Sequence, residues 1–283
     1  MKLLRVGPPG AERPVVLGPD GTAYELSGRT SDIDGAFLSR LDVAELAGAI
    51  ERGELPVADI AGLRTGAPIA RPGKVVGIGL NYRDHAVEAG AQIPAEPVIF
   101  LKASNTVVGP DDEVLVPRGS TKTDYEIELA FVIGQTARYL ASDEEAAACI
   151  AGYAIANDVT ERSFQWDRGG QWDKGKCCET FNPLGPWLVT PDELGDPQAL
   201  SLKLWVNGEL RQDGSTAEQI FPVLEVIRYV SQFMVLEPGD LVVTGTPAGV
   251  TAGHPGTPFL QPGDVLELEI TGLGRQRQVL GKA

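Results

Sequence analysis

Thr123-Asp124-Tyr125-Glu126-Ile127-Glu128-Leu129-Ala130-Phe131-Val132-Ile133 decides how the rest of the chain is read. Acidic and apolar residues alternate in its first half. On a strand, residues i and i+2 share a face. Asp124, Glu126 and Glu128 therefore point one way, and Tyr125, Ile127, Leu129 and Phe131 the other. At ~6–7 Å spacing and an effective dielectric near 20, neighbouring carboxylates repel by about 2–3 kcal/mol. A bound divalent cation removes that cost, and oxygen-only ligands suit Mg²⁺, Ca²⁺ or Mn²⁺ rather than zinc. An edge strand with a solvated acidic face fits the alternation equally well.

Outward from this stretch, the chain after Lys74 reads as strand-rich. Val75–Ile78, Val98–Leu101, Val114–Val116, Tyr125–Ile133, Ala151–Ala156, Leu200–Val206, Leu241–Thr244 and Val265–Ile270 are apolar runs bounded mostly by Pro, Gly or Asp. Helical spacing is confined to Asp143–Ala148 and Thr216–Met234. Before Lys74, short strands at Leu3–Val6, Val15–Leu17 and Ala23–Leu26 precede a helix over Asp42–Arg52, and Arg64–Gly73 is a polar connector. The expectation is an α+β protein: a small N-terminal α/β domain over residues 1–70, and a catalytic domain over 71–283 built around a mixed β-roll or β-sandwich. Gly77-Ile78-Gly79-Leu80-Asn81-Tyr82 begins like a dinucleotide fingerprint, but Tyr82 stands where the third glycine is required, which excludes a nicotinamide site.

The 283 residues carry a net charge of −15, with 43% hydrophobic and 22% charged residues, which are globular values. Such acidity repels phosphate backbones and anionic membranes, so neither nucleic acid nor membrane is expected as a partner. The three cysteines, Cys149, Cys177 and Cys178, form neither a disulfide framework nor a zinc site, and reduced thiols point to the cytoplasm. No signal core and no long apolar run is present.

Two further elements carry chemistry. Asp158 ends an apolar strand, at the rim of a sheet, where it serves a functional site or caps the residues that follow. His85 precedes Glu88 by three residues, so in a helical turn the carboxylate holds one imidazole nitrogen and leaves the other as a general base. A surface histidine with a chance acidic neighbour is the alternative. His254, in a Gly/Pro loop, reads as structural or incidental, and the adjacent Cys177 and Cys178 as packing residues.

Together these segments resemble the fumarylacetoacetate hydrolase family. The motifs run in order: Asn81-Tyr82-Arg83-Asp84-His85-Ala86-Val87-Glu88, Asp124-Tyr125-Glu126-Ile127-Glu128-Leu129, Asn157-Asp158-Val159-Thr160-Glu161-Arg162, Gly175-Lys176-Cys177-Cys178-Glu179-Thr180-Phe181 with Pro183-Leu184-Gly185-Pro186, and Thr244-Gly245-Thr246-Pro247-Ala248-Gly249-Val250. The resemblance implies Glu126, Glu128 and Asp158 as ligands of Mg²⁺ or Mn²⁺, with Lys176 and Thr180 beside the metal. It implies Arg162, Gln165 and Thr246 as substrate-facing residues, His85 and Glu88 as the catalytic pair with Lys176 assisting, and a homodimer. Glu179 and Ser163 stand where the family commonly has Asp and an acidic residue.

The implied reaction is hydrolysis of a C–C bond in a small 2,4-diketo acid, an acylpyruvate or a diketo-deoxy sugar acid, with release of pyruvate. Met1–Gly10 and Gly169–Lys176 resemble the branch acting on 2,4-diketo-3-deoxy-L-rhamnonate. Oxaloacetate decarboxylation, isomerisation of a hydroxy-dienedioate and a lyase reaction on ureidoglycolate use related sites, so the fold does not choose among them. A non-catalytic metal-binding protein is the reading of another class. The His85–Glu88 pair argues against it, because a passive ion site needs no general base.

Overall fold

Seven apolar or acidic side chains in a row on Ile127–Ile133 are all buried, which requires cover on both faces of the strand. The computed structural model, describing residues 1–283, supplies that cover by placing the strand inside a ten-stranded mixed sheet. The sheet order is Ala23–Glu25, Arg13–Leu17, Lys2–Val6, Asn182–Val189, Ile150–Asn157, Ile127–Ile133, Leu241–Val243, Val75–Gly79 and Val98–Lys102, with Val107–Val108 pairing alongside Asn182–Val189. A second, five-stranded sheet runs Glu209–Ser215, Ser201–Val206, Val265–Ile270, Gly274–Lys282 and Val114–Val116.

The two-residue period sorts the central strand. Ile127, Leu129, Phe131 and Ile133 enter the core shared with Leu202, Leu204, Leu266 and Leu268 of the second sheet. Ala130 and Val132 enter a core shared with Leu3, Val16, Leu38 and Leu46 from the N-terminal residues. Glu128 lies on that second face, at its end. An edge strand with a solvated acidic face is therefore not what forms. The first three strands join the large sheet through Lys2 opposite Val189 and Leu3 opposite Leu188, so residues 1–70 extend the sheet and cover one of its faces.

Local chemistry sets several boundaries. Asp42 caps the Val43–Glu51 helix by accepting from Glu45 N, and Ser142 caps Asp143–Ala148 by accepting from Glu145 N. The helix expected over Thr216–Met234 is shorter, Val223–Val230, because Pro222 starts it and the preceding Thr216–Glu218 forms a separate 3₁₀ turn. The strand expected over Tyr125–Ile133 breaks at Tyr125 and Glu126, leaving Thr123–Asp124 to pair with Thr160–Glu161. Strands at Asn182–Val189, Glu209–Ser215 and Gly274–Lys282 lie outside the runs identified from sequence. The strands that follow Pro238-Gly239-Asp240 and Pro262-Gly263-Asp264, Leu241–Val243 and Val265–Ile270, fall in different sheets.

Candidate active site

The break in the central strand brings the acidic residues inward. At Glu126 the backbone leaves the ladder, and side-chain amides take its orphan donors: Glu126 N donates to Asn157 Oδ1 at 3.2 Å, and Ile127 N to Gln212 Oε1 at 3.0 Å. Asp158 follows the last residue of Ile150–Asn157 and is tied across by its own N–H to Glu126 O at 2.9 Å. Glu128 is approached by the turn after Leu241–Val243, where Gly245 N donates to Glu128 Oε2 at 2.7 Å. Gly245 adopts φ +93°, and a Cβ there would stand 2.9 Å from Asn81 Cβ, so glycine alone fits. Candidate ligand oxygens of Glu126, Glu128 and Asp158 all lie within 4.8 Å of one another, and all three residues are buried.

The charges around this trio are unevenly shared. Lys176 Nζ lies 2.7 Å from Glu126 Oε2 and 2.5 Å from Asp158 Oδ2. Lys102 Nζ, also buried, pairs with Asp158 Oδ1. Arg162 Nε donates to Asp124 Oδ2 at 2.9 Å, and its Nη2 lies 2.7 Å from Glu126 Oε1 without hydrogen-bond alignment. Burial would raise the Glu126 carboxyl, but Lys176 and Arg162 pull it down to about 2. Glu128 has only the Gly245 N–H, and burial with Asp158 and Glu126 nearby pushes its carboxyl well above the ordinary range. Burial lowers Lys102 against the pull of Asp158, whereas Asp158 and Glu126 raise Lys176 against its burial.

Opposite the trio, the Arg83–Glu88 helix carries His85 and Glu88. The i, i+3 spacing places His85 Nδ1 3.1 Å from Glu88 Oε2, as expected from sequence. His85, Glu88, Glu126, Glu128, Arg162, Gln165, Lys176 and Thr246 line one cavity of about 540 Å³. Asp158 lies behind its wall, fully buried. Trp166, Trp172, Phe100, Leu80 and Val250 give the cavity an apolar side. Arg162 and Gln165 share a face of the Arg162–Trp166 helix, with Arg162 Nη1 donating to Gln165 Oε1 at 3.3 Å. The Thr246 hydroxyl is committed to Ile127 O and Gln212 Nε2. Thr180, expected beside the metal, has its hydroxyl bound to Leu115 N and Glu179 O instead, away from the cavity lining.

Residues 74–280 match the family described as Fumarylacetoacetate (FAA) hydrolase C-terminal. The chain belongs to the fumarylacetoacetate hydrolase family. Within that family it is 47% identical, over 98% of this chain and 95% of the other, to a 2,4-didehydro-3-deoxy-L-rhamnonate hydrolase of Sphingomonas sp. (strain SKA58). A fumarylacetoacetate hydrolase from Exiguobacterium antarcticum matches its structure at TM-score 0.86 and 34% identity, covering 100% of both chains. A maleylpyruvate hydrolase from Sphingobium sp. SYK-6, solved with manganese(II) ion and pyruvate, matches at TM-score 0.80 and 29% identity, again over 100% of both chains.

Two residues escaped the reading of this family member's sequence. Lys102 closes the otherwise apolar Val98–Lys102 strand, and a lone lysine ending such a strand was the only signal. His254, read as structural or incidental, lies with Nε2 2.8 Å from Glu88 Oε1. Cys177 and Cys178 are free thiols raised by burial, consistent with packing roles. No helix is long and apolar enough to cross a membrane.

Proposed function

We propose that the chain is a divalent-cation-dependent hydrolase cleaving a C–C bond of a small 2,4-diketo acid, an acylpyruvate or a diketo-deoxy sugar acid, to release pyruvate. The observation that carries this reading is the sharing of one cavity by the carboxylate trio's Glu126 and Glu128 and the His85–Glu88 pair. The buried oxygen-only donor set, with Glu128 left uncompensated, fits Mg²⁺ or Mn²⁺ held by Glu126, Glu128 and Asp158. When bound, the cation supplies Lewis-acid polarisation of the substrate's 2-oxo group.

This chain's own residues do the rest. Asp124, Glu126, Glu128 and Asp158 bring four negative charges, and Lys102, Lys176 and Arg162 three positive ones, a net of −1. Glu88 on the opposite wall adds one more negative charge, so a bound dication would bring the cavity to neutral and remove its repulsion of an anionic keto acid. Arg162 Nη2 is buried beside Glu126 without an aligned hydrogen bond, so a substrate carboxylate could share it, with the Gln165 amide alongside. Glu88 holds His85 Nδ1, leaving Nε2 to take a proton from water. The hydroxide adds to the 4-carbonyl, and the C3–C4 bond breaks with its electron pair moving toward the 2-oxo oxygen. Lys176 stabilises that developing charge electrostatically, and the His85 imidazolium returns its proton to C3. The net reaction consumes one water and gives pyruvate and a second acid.

The 47% identity to a 2,4-didehydro-3-deoxy-L-rhamnonate hydrolase supports a diketo-deoxy sugar acid as the substrate. The test is pyruvate release by the Mg²⁺- or Mn²⁺-loaded protein from acylpyruvates, diketo-deoxy sugar acids and oxaloacetate, with and without EDTA. The expected result is turnover of a diketo acid that stops in chelator. Full activity in EDTA, or turnover of oxaloacetate alone, would overturn the reading. A homodimer and a cytoplasmic location belong to the same proposal.

A further inference from the structure

Glu88 is engaged on both carboxylate oxygens. Oε2 faces His85 Nδ1 at 3.1 Å, while Oε1 accepts from Gly249 N at 2.8 Å and lies 2.8 Å from His254 Nε2. The loop bearing His254 is shaped to that carboxylate. A Cβ at Gly253 would stand 2.4 Å from Glu88 Cδ, so only glycine lets the Thr251–Gly253 turn lie flat against it. The same loop is fastened beneath by Asp124, whose carboxylate accepts from Thr251 N and Ala252 N. His254 itself is 55% exposed and is not part of the cavity wall, whereas Glu88 is 9% exposed.

We propose that His254 is a positioning residue for His85, acting through Glu88, whose Oε1 its Nε2 approaches to 2.8 Å from the solvent side. The inference rests on the reading of His85 as the general base. A carboxylate held on one oxygen by a single backbone N–H can rotate, whereas a second polar contact at 2.8 Å restricts its plane and so the direction in which Oε2 faces His85. The other charged groups near His85 are Asp84 on its own helix and Glu126, Glu128, Arg162 and Lys176 around the cavity. All of them remain when His254 is replaced.

The experiment compares the Mg²⁺-loaded parent with His254→Ala and His254→Gln. Gln carries a donor able to reach the same oxygen. In His254→Ala, kcat should fall roughly tenfold, the scale of one hydrogen bond to a charged group, with KM and Mg²⁺ affinity unchanged. His254→Gln should restore kcat. Parent kcat in His254→Ala, or a Gln variant as impaired as Ala, would overturn the proposal.

A substrate-free arm separates this inference from the functional reading. The chain has only two histidines, so long-range ¹H–¹⁵N spectra contain two imidazole ring sets. His85 should show a single Nδ1–H tautomer in the parent and in His254→Gln, and a tautomer mixture in His254→Ala. An unchanged His85 ring spectrum in His254→Ala would sink the positioning role whatever the substrate proves to be.

Discussion

At the residue scale, the account depends on how buried charges are compensated. Glu126 and Asp158 each have cationic partners, while Glu128 has a lone N–H. A cation is therefore expected to stabilise the fold by RT ln(1 + [M]/Kd), about 2.7 kcal/mol at a hundredfold excess over Kd. Glu126→Gln and Asp158→Asn should lose both that thermal shift and the calorimetric binding signal. Retained binding in both variants would contradict the metal assignment. Lys102 makes a second test, because removing one partner of a buried pair strands the other, here Asp158. Lys102→Ala should destabilise the protein by about 3–5 kcal/mol in urea unfolding. A loss under 1 kcal/mol would show that Lys176 alone compensates Asp158. The acidic alternation around Glu126 was visible in sequence because a strand's period is local. Lys102 and His254 were not, since Lys102 reaches Asp158 across 56 positions and no local pattern records such a contact.

At the element scale, the Arg162–Trp166 helix shows how a short segment is held to the site. Its N-cap Glu161 accepts from Ser163 N, Thr123 Oγ1 and Ser120 Oγ, and these bonds outweigh burial to lower its carboxyl below the ordinary 4.5. A carboxyl depressed on folding adds stability that is present above its ordinary value and lost as pH falls through the lowered one. Glu161→Gln should therefore narrow the stability difference between pH 7 and pH 3 in urea unfolding, with its largest loss at pH 7. An equal loss at both pH values would contradict the ionised cap. Elements that no proline or glycine interrupts, such as Asp143–Ala148 and Val265–Ile270, were read with their observed bounds. Asn182–Val189 was not, because Pro183, Gly185 and Pro186 interrupt it and only the neighbouring strands make it extended. In Gly274–Lys282, buried Gln276 and Gln278 stand where apolar residues would have signalled a strand, since both bond inward to the site's supporting strands. The over-long helix at Thr216–Met234 followed the apolar stripe past Pro222, which sets φ and ends the upstream turn.

At the scale of the whole molecule, the sheet, the second sheet and the N-terminal cover put both faces of one strand out of water, and its carboxylates then need internal partners. That requirement links fold to the proposed function: three basic side chains meet the buried charges, and on the proposed reading a cation and a keto acid complete the balance. The α+β class and the ordered motifs were legible because each motif is contiguous. The continuity of the first three strands with the large sheet was not, because the pairing of Lys2 with Val189 spans about two thirds of the chain. The central claim is that this assembly activates water through His85. Its most direct test is pyruvate release from a 2,4-diketo acid by the parent and by His85→Ala at saturating Mg²⁺, with cation affinity measured in parallel. The account predicts a loss of about 10²–10⁴ in rate for His85→Ala with unchanged cation affinity. Undiminished diketo-acid cleavage by His85→Ala would contradict it.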